Sequence, residues 1–174
     1  MSALEAGVKA PEITIPFLDS QSDGHKNGNE FSLRQAATRG PVVLAFFKVS
    51  CPICQLAFPF LERLHRAYKS SGKFTMVSVS QDNKKDTQAF YQRFGIRFPA
   101  LLDPEGKYPA SQAYGLTNVP STFLISSDGE IEFSSVGWSR RDMEELNRKL
   151  AEASGMAVAP LFQPSDKVPD HKPG

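Results

Sequence analysis

P-V-V-L-A-F-F-K-V-S-C-P-I-C-Q, residues 41–55, is the stretch from which the fold is read. Its first seven residues are a nearly continuous apolar run, rich in β-branched and aromatic side chains. Such a run suits a strand buried on both faces. Cys51 and Cys54 follow at once, the only two cysteines in the chain and separated by two residues. Beyond them Leu56, Phe60, Leu64, Ala67 and Tyr68 recur at three- and four-residue spacing, a helix that Ser70-Ser71-Gly72 stops. Pro59 inside it is expected to kink it. Four readings of the cysteine pair are open: a metal clip, a structural staple, a peroxide-reacting pair, or a reversible dithiol.

Composition narrows them. A chain of 174 residues suits one domain with a sizeable core. Two cysteines are far too few for a disulfide-scaffolded fold. A bridge between residues 51 and 54 would close a tiny loop and constrain little of the unfolded chain. The net charge of +1 gives no electrostatic reason to expect nucleic acid or an anionic membrane as partner. The first residues lack the basic-then-apolar pattern of a secretory signal, and no segment approaches the ~20 apolar residues of a membrane helix. A cytoplasmic protein is the expectation, or a periplasmic one if an export signal has been trimmed.

Outward from the opening stretch, the pattern alternates. F-T-M-V-S-V-S (74–80) reads as a strand, and Ala89, Phe90 and Phe94 mark the helix after it. A-L-L (100–102) is a short strand, D-P-E-G (103–106) a turn, and K-Y-P-A-S-Q-A-Y-G a short helix. Residues 122–126 and 131–136 flank S-D-G-E, where Asp-Gly signals a hairpin. Ser139, with Asp142 three residues on, can cap a last helix that turns Met143, Leu146 and Leu150 inward. Upstream, I-T-I-P-F-L-D (13–19) and E-F-S-L (30–33) flank a polar loop, an N-terminal hairpin. The fold class is therefore α/β, a central mixed sheet flanked by helices with an N-terminal hairpin extension. One domain over residues 1–154 is expected, followed by a polar, Pro-rich tail, 155–174, read as disordered or extended.

A C-x-x-C between a buried strand and a helix has chemical consequences. The helix start offers unpaired N–H groups and a partial positive charge, and both favour a thiolate on Cys51. Cys54, one turn further in, should be more buried. This permits disulfide exchange: Cys51 attacks a target disulfide, and Cys54 resolves the mixed disulfide. The plain alternative is a pair of buried structural cysteines.

The strand–C-x-x-C–helix unit resembles thioredoxin-fold proteins, over about residues 5–154. It is most similar to the TlpA-like and AhpC/TSA-like redoxins, a group of thiol-disulfide oxidoreductases. G-V-K-A-P-E-I, F-S-L, G-P-V-V-L-A-F-F, C-P-I-C, F-P-F-L, P-A-L-L-D-P-E-G, A-Y-G-L, V-P-S-T-F-L-I and D-G-E-I look like that group's landmarks in their usual order. The resemblance implies that Pro120, in Val119-Pro120-Ser121-Thr122-Phe123, follows a cis peptide bond and lies beside Cys51. It also implies that the Val119 backbone offers edge hydrogen bonds to an extended peptide. The implied partners are protein or peptide thiols and disulfides, met by a monomer that needs no cofactor.

The departures concern acids. Thioredoxins carry a buried acid six residues before the first cysteine, where this chain has Ala45. Cytochrome-maturation members often carry a glutamate six residues after it, where this chain has Ala57. Neither position supplies a base for Cys54. Lys48, three residues before Cys51, would favour its thiolate if the ammonium lies close, or points into solvent. The middle pair, Pro52-Ile53, leaves the redox direction open, since C-x-x-C proteins span about −270 to −120 mV.

Two rivals remain. A peroxiredoxin-like peroxidase would show Pro, then Thr or Ser, then Cys at positions occupied here by Leu44, Lys48 and Cys51, and an arginine about where Pro120 stands. A copper-delivering thioredoxin-like module would pair C-x-x-x-C with a distal histidine. This motif is one residue shorter, and the histidines are His25, His65 and His171. A structural zinc site wants four ligands, and no second C-x-x-C or H-x-x-x-H exists. His65 reads as a partly buried helix residue and Trp138 as packing. The sequence thus favours exchange at Cys51 and Cys54.

Overall fold

A computed structural model describes residues 3–19 and 30–174. The hairpin is formed by β1 (Thr14–Pro16) and β2 (Glu30–Ser32), antiparallel with Ile15 opposite Phe31. Its connecting loop, including His25, lies outside the described residues. A short α1 (Leu33–Ala37) follows, capped by Ser32, whose Oγ accepts from the Gln35 N–H at 3.3 Å.

Strand β3 (Val42–Phe47) is buried at every residue. It is followed by α2 (Pro52–Tyr68), which continues through Pro59. The expected alternation holds beyond it: β4 (Thr75–Ser80), α3 (Lys84–Phe94), β5 (Ala100–Leu102), α4 (Pro109–Ala113), β6 (Ser121–Ile125) and β7 (Ile131–Val136). The chain closes with β8 (Trp138–Ser139), α5 (Arg140–Ser154) and β9 (His171–Lys172). The central sheet has the order β5-β4-β3-β6-β7. β4 is parallel to β3 and β5, while β6 runs antiparallel to β3 and β7. It is the mixed, helix-flanked sheet that the alternation predicts.

The pattern of β3 follows from its place. Val43, Ala45 and Phe47 join one buried cluster, with α2 and α5, while Val42, Leu44 and Phe46 join another, with α1 and α4. A strand covered on both faces has no use for polar residues, which explains the continuous apolar run. The capping residues also act as read. Ser139 Oγ accepts from the Asp142 N–H at 3.1 Å, and Gly129 turns the β6–β7 hairpin at φ 79°. Asp103, expected only as a turn residue, is buried. Its carboxylate accepts from the N–H groups of Ala110 and Ser111 at 3.0 and 2.8 Å, which fixes the start of α4.

The segment 155–174, read from the sequence as disordered or extended, takes an extended course. Most of its residues are exposed, and it is pinned to the domain at intervals. The Tyr68 hydroxyl donates to Asn147 Oδ1 and accepts from the Ala159 N–H, while Asn147 Nδ2 donates to the Ala159 carbonyl. Leu161 is buried, and the Phe162 ring lies 5.1 Å from that of Phe60. Arg63 donates to both Asp166 oxygens, at 2.6 and 3.0 Å. Trp138 Nε1 donates to the Pro169 carbonyl at 2.6 Å, and β9 pairs antiparallel with β8. The segment lacks the composition for a core of its own; each of its anchors belongs to the core of α2 and α5.

Candidate active site

β3 ends at Phe47, and four intervening residues lead to the start of α2 at Pro52. This short connection is held from three sides. The Val49 N–H donates to Asp82 Oδ2 at 2.8 Å, Gln55 Nε2 donates to the Val49 carbonyl at 3.0 Å, and the Cys51 N–H donates to the Lys48 carbonyl at 3.2 Å. Cys51 therefore arrives at the helix start in a fixed, extended conformation, φ −79° and ψ 116°. Its sulfur takes the place a serine or aspartate oxygen usually holds at a helix N-cap, accepting from the Cys54 N–H at 3.2 Å. Pro52 fills the first helical position, where a missing N–H costs nothing. Here the Cys51 sulfur meets the unpaired N–H groups and the positive end of the helix.

The two cysteines differ in exposure. Cys51 is half-buried and Cys54 has no accessible surface. Burial pushes the Cys54 thiol well above the ordinary cysteine range, and its hydrogen bond with Cys51 raises it further; the Lys48 backbone opposes the shift. Ala45 and Ala57 lie in the same buried cluster as Cys54, so neither position puts a carboxylate there.

Across from Cys51, the Val119–Pro120 peptide bond is cis, as the resemblance implied. The Cys51 thiol lies 3.4 Å from the Val119 carbonyl, so the structure brings Cys51, Cys54, Val119 and Pro120 together. It does not bring in the Lys48 side chain, which is exposed and meets Cys51 only through its backbone. Leu44 faces the opposite cluster from Cys54. His65, on α2, lies against Glu62 of the same helix and against Phe98, and burial lowers its basicity. Among the described residues no group of three or more His, Cys, Asp or Glu is placed to hold a metal.

Two contributions escaped the sequence reading. Asp82 is the acid whose charge reaches Cys54, and it also holds Val49. The signal was present: β4 is parallel to β3, so the polar S-Q-D-N at its end had to emerge beside the cysteines. The other contribution is the end of the tail. Asn118 Nδ2 donates to the Gly174 carbonyl at 2.6 Å, one residue from Val119. Nothing in the sequence points to that contact.

The fold defines the class, which is thioredoxin-like. A protein assigned as a disulfide isomerase, from Bacteroides thetaiotaomicron, superposes with a TM-score of 0.76 at 22% identity, over 89% of this chain and 95% of that one. A thiol:disulfide interchange protein assigned as DsbE, from Chlorobium tepidum, gives 0.71 at 27% identity, over 88% of this chain and all of that one. By sequence, the thiol-disulfide oxidoreductase ResA of Halalkalibacterium halodurans is 30% identical over 144 residues, 83% of this chain and 76% of the relative. The AhpC/TSA family model matches residues 6–134. The chain belongs to the AhpC/TSA family and is, within it, a thioredoxin-like thiol-disulfide oxidoreductase.

Proposed function

We propose that Cys51 is the attacking nucleophile of this oxidoreductase and Cys54 its resolving thiol. The observation that carries the assignment is the asymmetry of the pair. One sulfur is accessible and sits on the N–H groups of a helix start, while the other is sealed in the core. In the forward direction the Cys51 thiolate attacks a substrate disulfide, and one substrate sulfur leaves and takes up a proton. Cys54 then attacks Cys51, giving up its own proton, and the second substrate thiol departs. Two electrons pass to the substrate, and the Cys51–Cys54 disulfide remains to be reduced by an external thiol.

The substrate in this reading is a protein or peptide disulfide, held in extended conformation by the Val119 backbone at the edge beside Pro120. Val136 and Gly137 border that edge: the Gly137 N–H donates to the Pro120 carbonyl at 2.8 Å, and Val136 is 39% exposed. One chain carries every group in the exchange, so a monomer suffices. Lys48 enters only as a distant, solvated cation. Its replacement by Met should change the alkylation rate of Cys51 by at most about fivefold.

The deciding experiment pairs Cys54→Ser with Cys51→Ser against a peptide disulfide. The first variant should accumulate a mixed disulfide and the second should form none. The reverse result exchanges the roles, and no adduct in either variant removes the pair from the reaction.

A further inference from the structure

The chain's last residues lie where the proposed substrate would lie. The Gly174 carbonyl is held by Asn118 Nδ2 at 2.6 Å, and a Cβ built on Gly174 would stand 2.9 Å from the Val119 carbonyl. On its other side the segment covers Gly137. A side chain there would meet the Gly174 nitrogen and the Lys172 carbonyl, both 2.6 Å from its Cβ. Gly137, at φ 80°, thus leaves room for a strand of main chain, and the tail fills it. The approach is that of an added strand, since β9 pairs antiparallel with β8 immediately beyond Gly137.

The anchoring is uneven. Leu161, Phe162 and Asp166 tie the segment to α2 and α5, whereas residues 170–174 are all exposed. Beyond the strand pairing, the end is held by few bonds: the Arg140 N–H to the Asp170 carbonyl at 2.8 Å, and Asn118 to Gly174. A segment firmly fixed around residues 161–166 and lightly over residues 170–174 can lift the latter without disturbing the core.

We propose that residues 171–174 are a self-docked strap on the peptide-binding edge, competing with an incoming extended polypeptide for the backbone beside Val119 and Gly137. The proposal rests on the Val119–Pro120 docking reading and adds regulation to it. The strap leaves Cys51 half-buried, not sealed. Small disulfides therefore reach the thiol with the strap in place, and polypeptides must displace it. The strap also states what fits: an extended main chain with a small residue against Gly137, as Pro173-Gly174 supplies.

The test uses the chain of residues 1–174 carrying Cys54→Ser. Cys51 is converted in one sample to a mixed disulfide with a cysteine peptide, and in another to a methylthio adduct. Amide exchange of Trp138, Arg140 and Lys172, whose N–H groups lie in the hydrogen-bonded pairs of this ladder, is then followed by NMR. These amides should lose protection in the peptide adduct and keep it in the methylthio adduct; retained protection in the peptide adduct overturns the strap. A second measurement uses the full chain with both wild-type cysteines and Lys172→Gly plus Pro173→Gly, which loosens the strap through backbone entropy. Its kcat/KM for a peptide disulfide should rise several-fold through a lower KM, with the rate towards hydroxyethyl disulfide unchanged. If both substrates respond equally, or neither does, the strap is no competitor. If hydroxyethyl disulfide fails to oxidise the cysteine pair at all, the exchange reading itself falls.

Discussion

At the scale of single residues, the difference between Cys51 and Cys54 has a direct readout. Iodoacetamide should modify Cys51 first as pH rises, and Cys54 only after denaturant opens the core; mass spectrometry of the labelled peptides decides it. Preferential labelling of Cys54 in native protein would contradict the burial that holds its proton. Oxidation of Cys51 by hydrogen peroxide should run no faster than for an ordinary thiol, because Leu44, Lys48 and Pro120 stand at the positions of the peroxidase groups. Asp82 gives a stability test. Asp82→Ala strands the part-buried Val49 N–H, so urea unfolding should show a loss of about 1 kcal/mol, the worth of one hydrogen bond to a group water can still partly reach. The cysteines and Pro120 could be found from sequence because their chemistry is local to a motif. Asp82 was missed, because its meaning comes only from the strand that runs alongside.

Among the secondary-structure elements, legibility followed length and periodicity. α2 repeats its apolar face over 17 residues, and β3 is apolar throughout because both of its faces are covered. α1, with five residues, is too short to show a period, and the two-residue strands β8 and β9 exist only because tertiary contacts bring them together. α2 is correspondingly the element whose packing matters most. Leu61 on it has no accessible surface, and Leu61→Ala should cost about 2–5 kcal/mol in urea denaturation. The cap of α5 is a smaller term: Ser139→Ala should cost about 0.5–2 kcal/mol and leave the cysteine chemistry untouched.

For the whole molecule, the unread part was the tail, and the reason is physical. An extended segment buries isolated residues against elements far away in sequence, so composition alone marks it as unfolded. One of its anchors titrates. The Arg63 guanidinium, with the Gln163 N–H, holds the Asp166 carboxyl down to about 2. A carboxyl lowered on folding adds stability in full above its ordinary value of 3.8, and the gain disappears as pH falls through about 2. Trp138 fluorescence should therefore report loosening of the tail between about pH 4 and 2, and Asp166→Asn should abolish that step. Equilibration with glutathione buffers tests the molecule's direction: a midpoint near −270 mV marks a reductant and one near −120 mV an oxidant.

Val119 packs against both buried clusters, the one under α2 and α5 and the one under α1 and α4. Its side chain is in effect a wedge driven between two cores, and its carbonyl faces the reactive sulfur. A loss of volume on either side of the sheet lets the wedge settle towards that side and carries the carbonyl with it. Leu124 belongs to the first cluster and Phe123 to the second, and neighbouring residues of one strand point to opposite faces. Truncating either one should thus shift the proposed docking edge in opposite senses, so two adjacent substitutions remote from the thiols become a means of tuning the exchange.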